Sequence, residues 1–204
     1  MIAVTREEGL WIAEIDRQDR ANALTLEMLQ DLADLAEGAT AQGARALILT
    51  GRGKVFSAGA DLEAARAGLA TSPVWERLSA AIAAFPGLSI AALNGTVAGG
   101  AMGMVLACDL RIAVPEAKVF YPVMKLGFLP QPSDPGRLVA LVGPARAKLL
   151  LMGGAKIAAE EARDWGLVER IVPGAALMEA ARGMAADTLG ATAEHAAAIK
   201  ALCR

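Results

Sequence analysis

The sequence predicts an α/β fold in which short buried strands alternate with amphipathic helices. Ala46-Leu47-Ile48-Leu49 is a continuous apolar run closed by Gly51, as expected for a strand buried on both faces of a parallel sheet. Thr25 is a suitable N-cap for a helix whose leucines recur at helical spacing as far as Gly38. The alternation returns later in the chain, which predicts a repeated, layered winding of strand and helix.

The N-terminal elements follow one another without a linker. Residues 2–5 and 10–15 are short apolar runs separated by a turn, and they predict a hairpin. After the first helix and strand, helical patterns at 61–70 and 74–85 lead to a buried strand at 89–93. The order of strand, helix and strand indicates a parallel α/β unit.

The second half of the chain continues this order and then becomes helical. Strand-like segments at 110–114 and 118–120 are separated by Pro115, which disfavours one continuous strand. We interpret 1–204 as a single domain with a layered core at 1–143 and a mainly helical region at 144–204. The elements predicted in that last region are a strand at 168–172 and helices at 175–189 and 192–202.

Composition excludes several classes of function. The 204 residues are 55% hydrophobic and 21% charged, which suits a globular core. A net charge of −2 without a basic patch disfavours nucleic acid as a partner. Cys108 and Cys203 have no metal-ligand spacing, and we predict no metal site. With neither an export signal nor a membrane span in the sequence, we expect a cytoplasmic protein.

Two segments combine a strand end, small residues and a helix start. They cover residues 51–62 and 94–104, and both are rich in glycine and alanine. Small side chains let a ligand touch the main chain, where free N–H groups can stabilise a developing oxyanion. The alternative is that these glycines only allow a helix to pack tightly on a strand.

Other motifs fail at these segments. Phe56 stands where a dinucleotide fingerprint requires its third glycine, and no phosphate-binding loop is present. A nucleophile elbow around Ser57 would require glycine where Val55 lies. The only histidine, His195, is near the C-terminus, so a Ser-His-Asp hydrolase is disfavoured.

A series of motifs follows one another along nearly the whole chain: Asn22-Ala23-Leu24-Thr25, Phe56-Ser57-Ala58-Gly59-Ala60-Asp61-Leu62, Asn94-Gly95 with Gly99-Gly100, Cys108-Asp109, Gly127-Phe128-Leu129-Pro130, Gly136-Arg137-Leu138 and Ala162-Arg163-Asp164-Trp165-Gly166-Leu167-Val168. The order of these motifs resembles the crotonase (enoyl-CoA hydratase/isomerase) superfamily. Asp109, in the fourth motif, is expected to bind backbone N–H groups at a strand start.

The resemblance implies a crotonase-like spiral of ββα units with a helical C-terminal region, and an acyl-CoA thioester as ligand. It implies that the backbone amides of Ala58 and Gly100 form an oxyanion hole. CoA would arrive as part of the substrate, with no permanently bound cofactor. The residues that the resemblance assigns to CoA binding are Ala21, Ala23, Ala60, Asp61 and Leu62.

The resemblance also implies a homo-oligomer, either a trimer or a hexamer, and a role in fatty acid metabolism. Family members usually continue beyond the position of Arg204 with helices that cover the acyl site and help subunits to pack. The helical region of this sequence is therefore shorter than expected, which leaves the mode of association open.

The sequence departs from the hydratases of the family at both catalytic glutamates. In register, these positions are Gly103 and Val123, which can neither give nor take a proton. By motif position, the polar residues that remain near the site are Tyr121, Gln131, Ser133 and Asp134. Gln131 and Asp134 are the candidate catalytic side chains. Gln131 can orient water or bind a substrate carboxylate, whereas Asp134 can act as a base. Asp134 equally fits the N-cap of a helix with Pro135 at its first position.

These observations lead to two hypotheses. The first is an acyl-CoA enzyme that stabilises a thioester enolate or oxyanion, of decarboxylase, thioester hydrolase or lyase type, and not a true enoyl-CoA hydratase. Decarboxylation requires least of the side chains, because the substrate supplies its own leaving group. The alternative is a non-catalytic acyl-CoA-binding or interaction protein derived from the family.

Overall fold

Two β-sheets form the centre of the protein in the computed structural model, which describes residues 1–203. The larger sheet has the strand order β1-β2-β3-β5-β7-β10 and the smaller has the order β4-β6-β8-β9. The strands are β1 (Ile2–Glu7), β2 (Leu10–Ile15), β3 (Ala46–Gly51), β4 (Val55–Ser57), β5 (Leu88–Leu93), β6 (Thr96–Ala98), β7 (Leu110–Ala113), β8 (Lys118–Phe120), β9 (Lys156–Ala158) and β10 (Arg170–Ile171).

Helices enclose both sheets. They are α1 (Leu26–Ala41), α2 (Leu62–Arg66), α3 (Val74–Ala84), α4 (Met102–Ala107), α5 (Val123–Leu126), α6 (Asp134–Leu151), α7 (Ala159–Asp164), α8 (Leu177–Gly190) and α9 (Ala193–Leu202). None of the helices formed by residues 1–203 has the length and apolarity that crossing a bilayer requires.

The chain winds as a spiral of ββα units. In each turn, one strand joins the larger sheet and the next joins the smaller one, before a helix returns the chain. Thus β3, β5 and β7 pair in parallel, while β4, β6 and β8 form a second parallel set. The predicted crotonase-like α/β fold is confirmed.

Local sequence explains the first turn of the spiral. Every residue of β3 is buried, as its unbroken apolar run predicts. The Thr25 side chain accepts a hydrogen bond from the Met28 N–H, 3.3 Å away, which confirms it as the N-cap of α1. Local sequence therefore accounts for α1 and β3, the two elements that lead to the first glycine-rich segment in the chain.

Two polar side chains, Asp109 and Arg111, connect the larger sheet to the C-terminal region. Lys200 on α9 donates to Asp109 Oδ2 at 2.7 Å. Asp109 Oδ2 accepts hydrogen bonds from the backbone and hydroxyl of Ser89, each at 2.8 Å, which confirms its predicted structural role. The guanidinium of Arg111 is buried and donates to the carbonyls of Leu167 and Cys108 at 2.8 and 2.7 Å. A buried cation needs such partners to offset its lost hydration.

The structure differs from the sequence-based boundaries at several element ends. The strand predicted at 168–172 is only the two residues of β10. The helix predicted at 61–70 is only α2, followed by a 3-10 turn at Leu69–Thr71, because Gly68 adopts a φ of 102°. The helical region begins ten residues before position 144, at the start of α6. Position 144 coincides with a kink instead, where Gly143 leaves the helical conformation and Pro144 resumes it.

Gly95 to alanine is expected to lower the free energy of unfolding by more than about 2 kcal/mol, because close packing leaves no space there. An added Cβ would lie 2.0 Å from the Lys54 carbonyl oxygen. Gly183 to alanine is the matched control. Gly183 is exposed on α8 with open space around it, so stability should rise by about 0.5–1 kcal/mol. Urea denaturation measures both, and an unchanged midpoint for Gly95→Ala would contradict the close contact.

Candidate functional site

A cavity of about 540 Å³ opens where the two glycine-rich turns meet. Its wall is mostly apolar and combines the ends of β4 and β6 with α2, α3 and the segment around α5. Residues that line it include Ala58, Gly100, Trp75, Tyr121, Val123 and Gln131. The structure therefore brings together two segments that lie about forty residues apart in sequence.

The first turn follows β4. The Ala58 N–H donates a hydrogen bond to the Ala21 carbonyl oxygen at 3.0 Å. Gly59 adopts a φ of 91°, and a Cβ there would lie 2.8 Å from the Ala98 carbonyl oxygen and 3.4 Å from the Gly100 nitrogen. Only glycine permits both this conformation and this approach of the two backbones.

The second turn follows β6 and leads into α4. Gly99 adopts a φ of 56°, and Gly100 lies against the indole of Trp75. A Cβ on Gly100 would approach the indole ring to 3.1 Å. Trp75 is itself fixed, because its Nε1 donates to the Leu69 carbonyl oxygen at 2.8 Å. Trp75 was not predicted as a site residue, because its position on α3 is that of an ordinary core residue.

A third segment, around Asn22, supports the first turn. Ala21 and Asn22 both have positive φ values, 49° and 55°. The fully buried Asn22 side chain accepts from the Arg17 N–H at 2.8 Å and donates to the carbonyls of Arg52 and Val55 at 3.0 and 2.6 Å. These bonds offset the cost of the left-handed conformation.

The residues assigned to CoA by resemblance occupy two kinds of position. Ala21, Ala60 and Leu62 line the cavity. Ala23 is buried, and its carbonyl accepts from the Arg17 guanidinium at 3.0 Å. Asp61 is the N-cap of α2 and also pairs with Arg17 at 2.8 Å. Its hydrogen bonds, to the Ala64 amide first and then to Arg17, lower the pKa of the Asp61 carboxyl.

The two positions of the absent glutamates lie in the same part of the protein. Val123 lines the cavity, at the start of α5. Gly103 is buried in α4 and faces the Asp134 carboxylate: a Cβ on Gly103 would lie 3.0 Å from Asp134 Oδ1. A larger residue at position 103 would therefore displace this carboxylate.

Asp134 is held by a tyrosine and does not cap its helix. Its Oδ2 accepts a hydrogen bond from the Tyr121 hydroxyl at 2.8 Å, and the Gln131 N–H donates to the same hydroxyl at 3.4 Å. Ser133 takes the N-cap position, and its hydroxyl donates to the carboxylate of Glu76. The N-cap interpretation of Asp134 is wrong, because its side chain turns inward.

Burial makes this carboxyl unusual. Asp134 is 1% exposed, and within residues 1–203 its Oδ1 has no hydrogen-bond partner. Burial raises the pKa of Asp134 from 3.8 to about 6, although the Tyr121 hydrogen bond and the charge of Arg137 oppose the rise. Burial also raises the pKa of Tyr121, and the neighbouring Asp134 charge adds to the effect.

A second cavity, of about 630 Å³, lies between the larger sheet and helices α8 and α9. It contains His195, Cys203 and the Lys200–Asp109 ion pair, whose closest atoms are 2.7 Å apart. Neither glycine-rich turn lines it. Within residues 1–203 there is no group of side chains suited to holding a metal ion.

The fold and the site define a class: a ββα-spiral protein in which two backbone turns meet at an apolar cavity. The model of the enoyl-CoA hydratase/isomerase family matches residues 5–204. The chain belongs to this family, the crotonase superfamily, as its motifs indicated.

Individual relatives support this assignment. A Mycobacterium tuberculosis protein named probable enoyl-CoA hydratase echA6 is 33% identical over 171 residues, covering 84% of this chain and 70% of that protein. The structure of Pseudomonas aeruginosa DspI superimposes with a TM-score of 0.90 at 33% identity, covering 99% and 85% of the two chains. An enoyl-CoA hydratase/isomerase from Pseudoalteromonas atlantica T6c gives a TM-score of 0.92 at 28% identity, with 99% and 82% covered.

Asp134→Asn is expected to flatten the dependence of stability on pH. Because the folded pKa is raised, the neutral carboxyl favours folding below about pH 4, and this contribution is lost as pH rises through about 6. The unfolding free energy of the parent should fall by up to about 3 kcal/mol relative to the variant between pH 4 and 7. Urea denaturation across this range measures the difference; parallel curves would show that Asp134 titrates normally.

Proposed function

We propose that this protein is an acyl-CoA-processing enzyme that stabilises a thioester enolate or oxyanion on the backbone amides of Ala58 and Gly100. The reaction would be of decarboxylase, thioester hydrolase or lyase type. The observation that carries the proposal is the meeting of these two backbones at one apolar cavity. CoA would enter with the substrate, and no resident cofactor would be needed.

The arrangement suits a thioester carbonyl in physical terms. A preorganised N–H group stabilises developing negative charge most effectively in an apolar, water-poor site. The Ala58 N–H already donates to the Ala21 carbonyl, so the thioester oxygen would enter as a second acceptor of a shared hydrogen bond. Gly100 would supply the other donor, held in place by Trp75.

The cavity also suits an apolar acyl group beside the CoA moiety. Large hydrophobic side chains line it and remain partly exposed, and Leu129 is 88% exposed. Burying such side chains against a ligand stabilises the complex by about 25 cal/mol for each Å² removed from water. The other members of this exposed set are Leu62, Leu126 and Phe128.

Hydration by paired carboxylates does not suit this site. Gly103 and Val123 have no ionisable side chain, and the cavity wall is formed largely by apolar residues. Gln131 lines the cavity and can orient water or bind a substrate carboxylate, while Asp134 is the nearby candidate base. We further propose that the protein acts in the cytoplasm and that it forms a homotrimer or hexamer. Light scattering would test the oligomeric state.

The lack of ionisable side chains at positions 103 and 123 favours a second candidate function, a non-catalytic acyl-CoA-binding protein. Such a protein would keep the backbone donors and the apolar cavity while having no proton donor or acceptor on the acyl group. Turnover distinguishes the two candidates, because a binding protein leaves every acyl-CoA intact.

The protein is expected to show no measurable hydration of crotonyl-CoA while binding acyl-CoA esters. Mass spectrometry of a panel of malonyl-type, enoyl and β-keto acyl-CoAs incubated with the protein should identify the reaction. Loss of carbon dioxide, release of free CoA or chain cleavage would each identify a reaction type. Robust hydration of crotonyl-CoA would contradict the inference from Gly103 and Val123, and a panel left intact would favour the binding protein.

A thioester should bind at least about tenfold more tightly than the thioether in which CH₂ replaces its carbonyl, since two hydrogen bonds are lost. Calorimetry with butanoyl-CoA and S-butyl-CoA measures the difference. A chromophoric ester, 4-(dimethylamino)cinnamoyl-CoA, should show a red shift on binding as the donors polarise its carbonyl. Equal affinities without a red shift would contradict the oxyanion hole.

A further inference from the structure

A buried polar cluster lies beside the cavity and includes neither the residues assigned to CoA nor the two backbone donors. It consists of Tyr121, Asp134 and their neighbours on α3, α4 and α6. One carboxylate oxygen of Asp134 accepts from Tyr121. The other, Oδ1, lies against Gly103 and 4.0 Å from the Arg137 guanidinium, with no hydrogen-bond partner among residues 1–203. Burying a carboxyl with an unsatisfied oxygen destabilises a folded protein, so the cluster calls for an explanation.

The cluster reaches the cavity through the tyrosine. Tyr121 lines the cavity, as does Gln131, whose N–H points to the tyrosine hydroxyl at 3.4 Å. Asp134 is buried and makes its hydrogen bond to the same hydroxyl at 2.8 Å. The hydroxyl thus connects an enclosed carboxylate to a residue of the cavity wall.

Gly103 makes this placement possible. A Cβ at position 103 would lie 3.0 Å from Asp134 Oδ1, closer than a side chain usually approaches an oxygen. Because Gly103 lacks that atom, α6 can direct Asp134 towards α4 and keep it at hydrogen-bond distance from Tyr121. Gly103 and Asp134 therefore form a matched pair.

We propose that Tyr121 and Asp134 form a proton-transfer unit in which Tyr121 contacts the carbon next to the thioester and Asp134 acts through it. The proposal rests on the proposed function, since it requires a bound acyl-CoA whose enolate is stabilised by Ala58 and Gly100. Tyr121 is then the catalytic side chain, and Asp134 is a positioning residue that accepts the transferred charge.

The step conserves atoms and electrons. The Cα–H bond of the acyl group breaks, and its electron pair moves towards the thioester oxygen to form the enolate. The proton bonds to Tyr121 Oη while the tyrosine's own hydroxyl proton passes to Asp134 Oδ2. Reversal returns a proton to Cα, so the same unit can protonate an enolate that arises by loss of carbon dioxide.

The surrounding charges favour an Asp134 that accepts a proton readily. Burial is the main cause of its raised pKa of about 6, and Glu76 on α3 acts in the same direction. Arg137 on α6 opposes this from 4.0 Å. A pKa nearer to neutral makes the carboxylate a stronger base than an exposed aspartate. Concerted transfer avoids a free tyrosinate, which the raised Tyr121 pKa disfavours.

The test is exchange of the α-protons of butanoyl-CoA for deuterium in D₂O, followed by NMR with the whole protein. The exchange rate should rise with pH through an apparent pKa of about 6, because Asp134 must be ionised to accept the proton. Asp134→Asn and Tyr121→Phe should each lower kcat for exchange by at least about 100-fold while KM changes less than about threefold. Asp134→Asn should also abolish the rise with pH.

Two further variants sharpen the test. Asp31→Asn makes the same chemical change on the exposed face of α1 and should leave exchange unchanged. Gly103→Ala keeps Asp134 but displaces its carboxylate, so it should slow exchange as well. Asp134→Asn can still accept the Tyr121 hydrogen bond and is expected to fold, which its affinity for butanoyl-CoA verifies.

Other outcomes overturn the proposal in distinguishable ways. If butanoyl-CoA binds and exchanges but Asp134→Asn and Tyr121→Phe exchange at the parent rate, the proton-transfer unit is wrong and the proposed function stands. Binding without exchange in the parent also overturns the unit and favours the binding protein. If neither butanoyl-CoA nor the chromophoric ester binds, the proposed function and the proton-transfer unit are both wrong.

Discussion

The site depends on two backbones lying in contact with no side chain between them. β4 and β6 pair in parallel, and the chain after each strand turns through glycine before a helix begins. At Gly59 a single methyl group would meet the Ala98 carbonyl at 2.8 Å. The ββα winding is what brings these turns together, because each circuit of the spiral adds one strand beside the previous one. The cavity, its candidate amide donors and its apolar wall all follow from this approach.

Local signals in the sequence were enough for the main elements and for the two turns. The apolar run of β3 and the Thr25 cap of α1 are properties of adjacent residues, and the family motifs located Ala58 and Gly100 in one register. Strands β4, β6 and β9 are only three residues long, too short to show a periodic pattern. The motifs could indicate where two turns meet, but β4, β6 and β9 were not predicted as strands. β8 is equally short and was predicted at 118–120, where Pro115 separates it from the preceding strand.

The side chains around the cavity were harder to predict because their contacts are non-local. Asp134 next to a proline has the local pattern of a helix cap, and only the fold shows that its partner is Tyr121. In the sequence, Trp75 has the pattern of any core residue of an amphipathic helix, and only the fold shows its contact with Gly100. Backbone N–H donors remain when side chains are substituted, whereas a side-chain acid or base is lost when its residue is replaced. A spiral of this kind can therefore keep its carbonyl-binding turns while its proton chemistry changes.

The contact between Gly103 and Asp134 also constrains how this protein can change through mutation. A side chain introduced at position 103 would meet the Asp134 carboxylate, which is buried on α6 and would have to be displaced. Removing Asp134 first leaves Tyr121 without its acceptor. We therefore expect the effects of substitutions at these two positions to depend on each other. A larger residue on α4 would be accommodated only together with a change that moves or removes the Asp134 carboxylate.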